Sequence, residues 1–96
     1  MNPPTAAQLA ALQVATELDA LAAIPRPASL EEGTHRAIRA LTQLWTELPT
    51  GSFDSWMARQ QVLLLEERRV PPAEELARWV AWWRQLAASI AARRAA

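Results

Sequence analysis

The sequence predicts an all-α protein, a small four-helix bundle with up-down or orthogonal packing. Proline and glycine interrupt the 96-residue chain around residues 24–27, 48–52 and 70–72. The segments between these breaks are rich in helix-forming residues, and none alternates apolar and polar residues as a half-buried strand does. Short breaks favour antiparallel neighbouring helices. We therefore expect one helical domain over residues 1–96, with helices over about 5–24, 30–48, 53–69 and 72–94.

The first predicted helix begins at a capping box and carries two apolar seams. Thr5 is followed three residues later by Gln8, a pair that satisfies free N–H groups of a first turn. At about 100° per residue, one seam contains Ala7, Ala11, Val14, Leu18 and Leu21. The other, on nearly the opposite side, contains Leu9, Leu12, Thr16, Ala20 and Ala23. Four helices in one layer do not easily bury both, so the second seam is predicted to lie in an interface.

The second predicted helix has a single apolar stripe. Ser29 and Glu32 repeat the capping-box pattern, and Gly33 falls in the first turn, where glycine does little harm. The stripe contains Ala37, Ile38, Leu41, Leu44, Trp45 and Leu48. His35, the only histidine, lies near the polar side, so we expect it to be a surface residue.

The third predicted helix begins near Ser52 or Asp54 and, like the first, is apolar on two sides. One side contains Phe53, Trp56, Met57 and Leu64, and the opposite side contains Ala58, Val62 and Leu65. The apolar run over residues 62–65 goes right round the helix. One of these sides is also predicted to contact another chain.

The fourth predicted helix has Pro71 or Pro72 at its first position, which proline tolerates because that N–H has no helical partner. Its buried stripe contains Leu76, Trp79, Val80, Trp83, Leu86, Ala87 and Ile90. Trp82 lies about 90° from the centre of this stripe. Trp82 is therefore a candidate for an interface anchor or a partly exposed flank.

The composition argues against an enzyme. The chain has no cysteine, one histidine, two glycines and two aspartates, so it lacks most residue types that form catalytic, metal and phosphate sites. The adjacent pairs Glu66–Glu67 and Glu74–Glu75 point about 100° apart on a helix and do not face each other as a catalytic pair would. We expect no cofactor and no metal.

The charge balance argues against direct binding to nucleic acid or membrane. Ten arginines and ten acidic residues give a net charge of zero, whereas affinity for phosphates needs clustered positive charge. No apolar run approaches the roughly 20 residues that span a bilayer, and a basic leader region is absent. A cytoplasmic location is expected. Arginine as the only cationic side chain besides histidine, together with 21 alanines, indicates a GC-rich bacterial or phage genome.

These features predict a non-enzymatic protein–protein interaction module of the adaptor, assembly chaperone, inhibitor or antitoxin type. It would bind itself, as a homo-oligomer, or a larger protein, stoichiometrically and through helix 1, helix 3 or both. The candidate interface residues are Leu9, Leu12, Thr16, Ala23, Val62, Leu65 and Trp82. The alternative is a small helical subunit or regulator of a phage or defence nucleic-acid-processing complex. That alternative would be favoured if one surface gathered Arg68, Arg69, Arg78, Arg84, Arg93 and Arg94.

Overall fold

A computed structural model describes residues 3–26 and 28–95, the last by its backbone alone, and confirms the four-helix prediction. The helices are α1 (Ala6–Ala22), α2 (Glu31–Glu47), α3 (Phe53–Glu66) and α4 (Ala73–Ala95). Within the described ranges no residue lies in a strand. The helix ends fall within three residues of the predicted ends.

Side-chain caps begin α1 and α3, as the sequence predicts. The Thr5 hydroxyl accepts a hydrogen bond of 3.1 Å from the backbone N–H of Gln8. The Ser52 hydroxyl accepts one of the same length from the backbone N–H of Ser55. Each bond satisfies one N–H group that has no partner inside the helix.

The start of α2 differs from the predicted capping box. Leu30 occupies the N-cap position and makes no side-chain cap, while the Ser29 hydroxyl accepts only a long hydrogen bond of 3.4 Å from the N–H of Glu31. Glu31 and Glu32 lie in the first turn, where negative charge interacts favourably with the helix dipole. Charge therefore stabilises the α2 start more than capping does.

α4 begins at Ala73, so neither Pro71 nor Pro72 occupies its first position as predicted. The carbonyl of Pro72 accepts hydrogen bonds of 3.0 Å from the N–H groups of Glu75 and Leu76, which makes Pro72 the residue before the helix. An N–H group at this position has no partner inside the helix, so proline, which lacks an N–H, loses no hydrogen bond here.

The helices follow the order α4, α1, α2, α3 across the bundle. α1 packs against both α2 and α4, and α2 packs also against α3. Arg94 donates a hydrogen bond to the carbonyl of Pro3, which joins the end of α4 to the start of α1 and makes these helices antiparallel. In the part of the chain described, no Cα atom of α3 lies within 8 Å of a Cα atom of α4. Side chains must therefore fill the space between α3 and α4.

The core draws on the predicted apolar stripes of all four helices. Its fully buried residues include Ala11, Val14, Leu18, Leu21, Ala37, Leu41, Leu44, Ala58, Leu65, Leu76, Val80, Trp83 and Ala87. Most residues of the first α1 seam and of the α2 and α4 stripes are thus confirmed as core or as packed against it. Ala7 and Ile90 are only half-buried, and Trp45 is exposed. Trp79 and Leu86 are half-buried and pack against the edge of this core.

The side chain of Trp83 fills much of the space between α4 and α3. It is completely buried, and its Nε1 donates a hydrogen bond of 2.8 Å to Oε1 of Gln61 on α3. Gln61 is itself only 2% exposed. Because a buried indole N–H without a partner is costly, this hydrogen bond lets the largest core residue occupy an otherwise apolar interior.

Gly33 has a packing role that the sequence alone did not indicate. A Cβ atom placed on Gly33 would lie 2.9 Å from Cδ1 of Ile24 and 3.1 Å from Cδ1 of Leu21. Both distances are shorter than ordinary carbon contacts. Gly33 therefore lets the first turn of α2 approach the end of α1 closely, which a residue with a Cβ atom would prevent.

A left-handed arginine ends α3. Arg68 has φ of 60°, and its N–H bonds to the carbonyl of Leu65 at 3.0 Å while the N–H of Arg69 bonds to the carbonyl of Leu64 at 2.9 Å. This is the Schellman arrangement, in which glycine is the usual left-handed residue. Arginine adopts that conformation at a cost because of its Cβ atom.

We expect the Trp83–Gln61 hydrogen bond to be measurable by a double-mutant cycle. Gln61→Leu should lower the free energy of unfolding by about 1–3 kcal/mol, because it leaves the buried indole N–H without an acceptor. The combination of Gln61→Leu with Trp83→Phe should cost less than the sum of the two single changes. Urea denaturation of the four proteins measures the difference, and strictly additive effects would contradict this role for the bond.

We expect Arg68→Gly to stabilise the protein by about 1 kcal/mol, because glycine adopts the left-handed conformation without strain. For a domain of this size, that gain corresponds to a rise in melting temperature of about 4–8 °C. Arg69→Gly is the control, since no positive φ is found at Arg69. A lower melting temperature for Arg68→Gly would show that the side chain contributes more than the strain costs.

Candidate interaction surfaces

Large apolar side chains remain exposed at several places. In the described ranges, the large apolar residues with exposed surface are Leu9, Leu12, Trp45, Phe53, Trp56, Leu63 and Trp82. They fall mainly on two surfaces, which we name the aromatic patch (Phe53, Trp56 and Trp82) and the α1 face (Leu9, Leu12, Thr16, Ala20 and Ala23). Isolated exposed leucines are ordinary in proteins, but contiguous groups of this kind mark binding surfaces.

The aromatic patch is a connected group of three rings. The ring of Phe53 contacts two indoles. Its centroid lies 5.6 Å from that of Trp56, with an angle of 33° between the ring planes, and 5.6 Å from that of Trp82, with an angle of 53°. Such tilted contacts are favourable for aromatic pairs. Nevertheless Phe53, Trp56 and Trp82 are 58%, 55% and 40% exposed, so the rings are held in place without being covered.

A hydrogen bond joins the patch across two helices. Nε1 of Trp82 on α4 donates to Oδ1 of Asp54 on α3 at 3.1 Å. Asp54 lies in the first turn of α3, where its charge also interacts favourably with the helix dipole. This bond orients the Trp82 indole. The indole is partly exposed, as the sequence predicts for a residue at the flank of the buried stripe.

The patch continues along the outer side of α3. Leu63 is exposed, and Leu64 and Met57 of the same helix are half-buried. The inner side of α3 contributes Ser55, Ala58, Gln61 and Leu65 to the interior. The prediction that α3 is apolar on two sides is thus confirmed.

Two candidate interface residues lie on the inner side of α3. Leu65 is 1% exposed, and Val62 is half-buried against the core. Both residues therefore pack inside the monomer, and the exposed apolar side of α3 is the opposite one, with Phe53 and Trp56. A buried Trp83 needing an acceptor was the available signal that Gln61 points inward.

Trp45 lies at the edge of the core, although the sequence analysis placed it in the buried stripe of α2. Its side chain is 39% exposed, and the guanidinium carbon of Arg59 lies 5.2 Å from its ring centroid. This cation–π contact covers one face of the ring. Trp45 therefore has a partner of its own and is separate from the aromatic patch.

The α1 face is uncovered along its whole length. Leu9 and Leu12 are 53% and 42% exposed, and Thr16, Ala20 and Ala23 are exposed as well. The Thr16 hydroxyl donates to the carbonyl of Leu12 at 3.0 Å, so this polar group already has a partner within the helix. The second seam of the predicted first helix is thus available for binding, and what covers it stays a prediction.

The aromatic patch and the α1 face point in opposite directions. α1 and α3 are not neighbours, since each packs against α2 and they do not pack against each other. Each turns its core residues towards the centre of the bundle and its exposed apolar residues outwards. Two binding events at these surfaces would not compete for space.

The arginines do not form one basic surface. Arg68 and Arg69 follow α3, whereas Arg93 and Arg94 lie in the last turn of α4. The 23 residues of α4 separate these pairs by a helix about 34 Å long at about 1.5 Å per residue. The gathering that would favour a nucleic-acid role is therefore not present among these residues.

A groove lies between the start of α2 and the end of α3. It encloses about 960 Å³ and places Arg26 and Arg68 alongside Glu31 and Glu66, so its charges are mixed. Arg26 also donates a hydrogen bond of 2.8 Å to the carbonyl of Pro71, which ties two loops together. Over the part of the chain described, no group of three or more potential ligands could hold a metal ion, and no helix has the length and apolarity to cross a membrane.

Comparison with known proteins found no relative: no family model matches the chain, and no match was found among curated proteins or solved structures. The chain's own surfaces therefore carry the functional inference.

We expect the aromatic patch to contribute little to folding. Trp56→Ala should lower the free energy of unfolding by about 1 kcal/mol, as is typical for partly exposed positions. Trp83→Ala should lower it by about 3–5 kcal/mol, because it opens a cavity in the core. Chemical denaturation compares the two tryptophans, and equal losses would mean that Trp56 is part of the structural core.

Proposed function

We propose that the protein is a non-enzymatic interaction module that binds another protein stoichiometrically through the aromatic patch. The observation that carries this proposal is the ordered exposure of Phe53, Trp56 and Trp82 on the outside of α3 and α4. Exposed apolar area has a free-energy cost of about 25 cal/mol per Å² relative to burial. A partner that covers three aromatic rings recovers this free energy.

The order of the rings supports a binding role. Tryptophan is enriched among the residues that dominate binding energy, and rigid anchors lose little conformational entropy on association. Ring contacts hold Phe53, and the Asp54 hydrogen bond holds Trp82. The surface is thus largely preorganised before a partner arrives.

The expected partner has a concave apolar surface. Among the hydrogen bonds and cation–π contacts of the described residues, Asp54 is the only charged partner of the patch. We therefore expect recognition to depend on shape and apolar area more than on charge. An adaptor, an assembly chaperone, an inhibitor and an antitoxin all act through stoichiometric binding of this kind. We place the interaction in a bacterial cytoplasm, the origin that the arginine-only basic side chains and the 21 alanines favour.

The distribution of charge supports a protein partner over a nucleic acid. Phosphate binding gains its affinity from clustered basic residues, whereas here the basic pairs Arg68–Arg69 and Arg93–Arg94 lie at opposite ends of α4. In the described residues no hydrogen bond or cation–π contact joins an arginine to the patch, whose charged partner is Asp54. Stacking of the exposed rings on bases would therefore lack the usual electrostatic support.

The proposal is tested with tagged protein and an extract of the source organism. The wild-type protein should retain a partner in a fixed molar ratio, and Phe53→Ala with Trp56→Ala should weaken binding by at least about 30-fold, which corresponds to about 2 kcal/mol. Trp45→Ala is the matched control, because Trp45 is a 39% exposed tryptophan outside the patch. Equal partner retention by the patch variant and the wild type would contradict the proposal, provided that circular dichroism shows both to be folded.

A further inference from the structure

The α1 face has a symmetric spacing centred on Thr16. Leu12 and Ala20 lie four residues to either side of Thr16, and Leu9 and Ala23 lie seven residues to either side. Ala23 caps the helix and keeps helical backbone angles, so the face continues through it. Both large residues lie on the N-terminal half, and both small residues lie on the C-terminal half.

This asymmetry makes the face complementary to itself. When two antiparallel copies of α1 pair about Thr16, Leu12 of one copy faces Ala20 of the second, and Leu9 faces Ala23 of the second. Large side chains then meet small ones along the whole contact, which allows close packing without voids or overlap. A parallel pair would place leucine against leucine and alanine against alanine.

Thr16 suits the position on the symmetry axis. Its side chain is small enough for two helices to approach closely, and its hydroxyl already donates to the carbonyl of Leu12. Burial of Thr16 against its own copy therefore leaves no hydroxyl donor without a partner.

Asp19 borders the α1 face on the side of α4. Gln13 and Glu17 lie on the other flank of α1, where they line a groove together with Arg36 and Arg39 of α2. Since Asp19 lies about 160° from Glu17 around the helix, it occupies the flank that faces α4. Asp19 has no ion pair in the described chain.

Arg84 borders the same face from α4. The neighbouring Trp82 lies on the α3 side of α4, and Arg84, about 160° away around that helix, lies on the α1 side. It likewise has no ion pair in the described chain. The Arg94–Pro3 hydrogen bond places the end of α4 beside the segment that leads into α1. Because the two helices are antiparallel, Arg84, ten residues before Arg94, lies alongside the part of α1 around Gln13.

The two unpaired charges meet in the antiparallel arrangement. Gln13 and Asp19 lie three residues to either side of Thr16, so Gln13 is level with Asp19 of the second copy. Arg84, on the α4 flank at about the level of Gln13, then approaches Asp19 of the second copy, and the symmetry makes this ion pair twice. The twofold axis lies in the plane of contact and is perpendicular to α1. Rotation about it places the α4 helices of both copies on the same flank of the α1 pair, so that Arg84 of each copy can reach Asp19 of the other.

We infer that the α1 face binds a second copy of this chain, as an antiparallel homodimer whose twofold axis passes by Thr16. Leucine-on-alanine packing forms the centre of the contact, and Asp19–Arg84 pairs form its rim. This dimer does not depend on the aromatic patch, which lies on the opposite side of each copy.

Sedimentation equilibrium of the purified chain tests the dimer directly. The wild-type protein should be a dimer, and Leu9→Glu with Leu12→Glu should raise the dimer dissociation constant at least 100-fold, because charge is buried in an apolar contact. Leu63→Glu is the matched control, an exposed leucine of α3, and it should leave the dimer intact. Partner binding at the aromatic patch should survive in the α1 variant, so the two proposals can fail separately.

A charge exchange tests the register. Asp19→Arg and Arg84→Asp should each raise the dissociation constant about tenfold, because each reversal places like charges together at two sites. The protein carrying both changes should return to within about threefold of the wild type, since the exchanged charges pair again. Failure of the double variant to recover would overturn the Asp19–Arg84 register.

A single cysteine tests the axis without disturbing the core. The chain has no cysteine of its own, so Thr16→Cys should form a disulfide between two copies under mild oxidation. Thr46→Cys is the control, because Thr46 is also exposed and also donates to a carbonyl of its own helix. A monomeric wild type, dissociation by Leu63→Glu alone, or equal cross-linking of the two cysteine variants would overturn the inference.

Discussion

The hydrogen bond from Trp83 to Gln61 is the constraint on which much of this structure depends. α3 and α4 have no backbone contact closer than 8 Å between Cα atoms in the described chain, so an indole and an amide join them. A tryptophan in an apolar interior needs an acceptor for its N–H, and Gln61 supplies one at 2.8 Å. The bond therefore sets both the spacing of α3 from α4 and the rotation of each helix about its axis.

The aromatic patch follows from that rotation. Trp82 and Trp83 are adjacent and point about 100° apart, so burial of Trp83 turns Trp82 towards the edge of α3. There it meets Asp54 and Phe53 at the start of α3. On α3, an inward Gln61 leaves Trp56 on the outer side. One buried polar contact thus helps to determine which aromatic residues stay exposed.

Helical periodicity predicts most of the fold but not the side of α3 that faces inward. The prolines, the caps at Thr5 and Ser52 and the stripes of α2 and α4 fix the elements and their core residues. Both sides of α3 are apolar, so periodicity does not distinguish the inner side from the outer side. Gln61 is buried because it accepts a hydrogen bond from Trp83 of α4, a contact that the sequence of α3 alone does not contain. The exposure of the α1 face could be predicted, since its residues share one side of a single helix. Gly33 acts through its distance to Ile24 and Leu21, which no local pattern contains.

The two exposed surfaces differ in shape, and the difference would suit them to different partners. If the α1 face of one copy bound the aromatic patch of another, each copy would retain one free surface of each kind, and association would continue into open chains. The shapes disfavour this outcome, because a strip of leucine and alanine fits a second helix closely, whereas three rings need a pocket. Self-pairing at α1 closes after two copies and leaves a patch on each outer side. A partner that presents two pockets would then bind such a dimer through both patches, with a gain in affinity that depends on their separation.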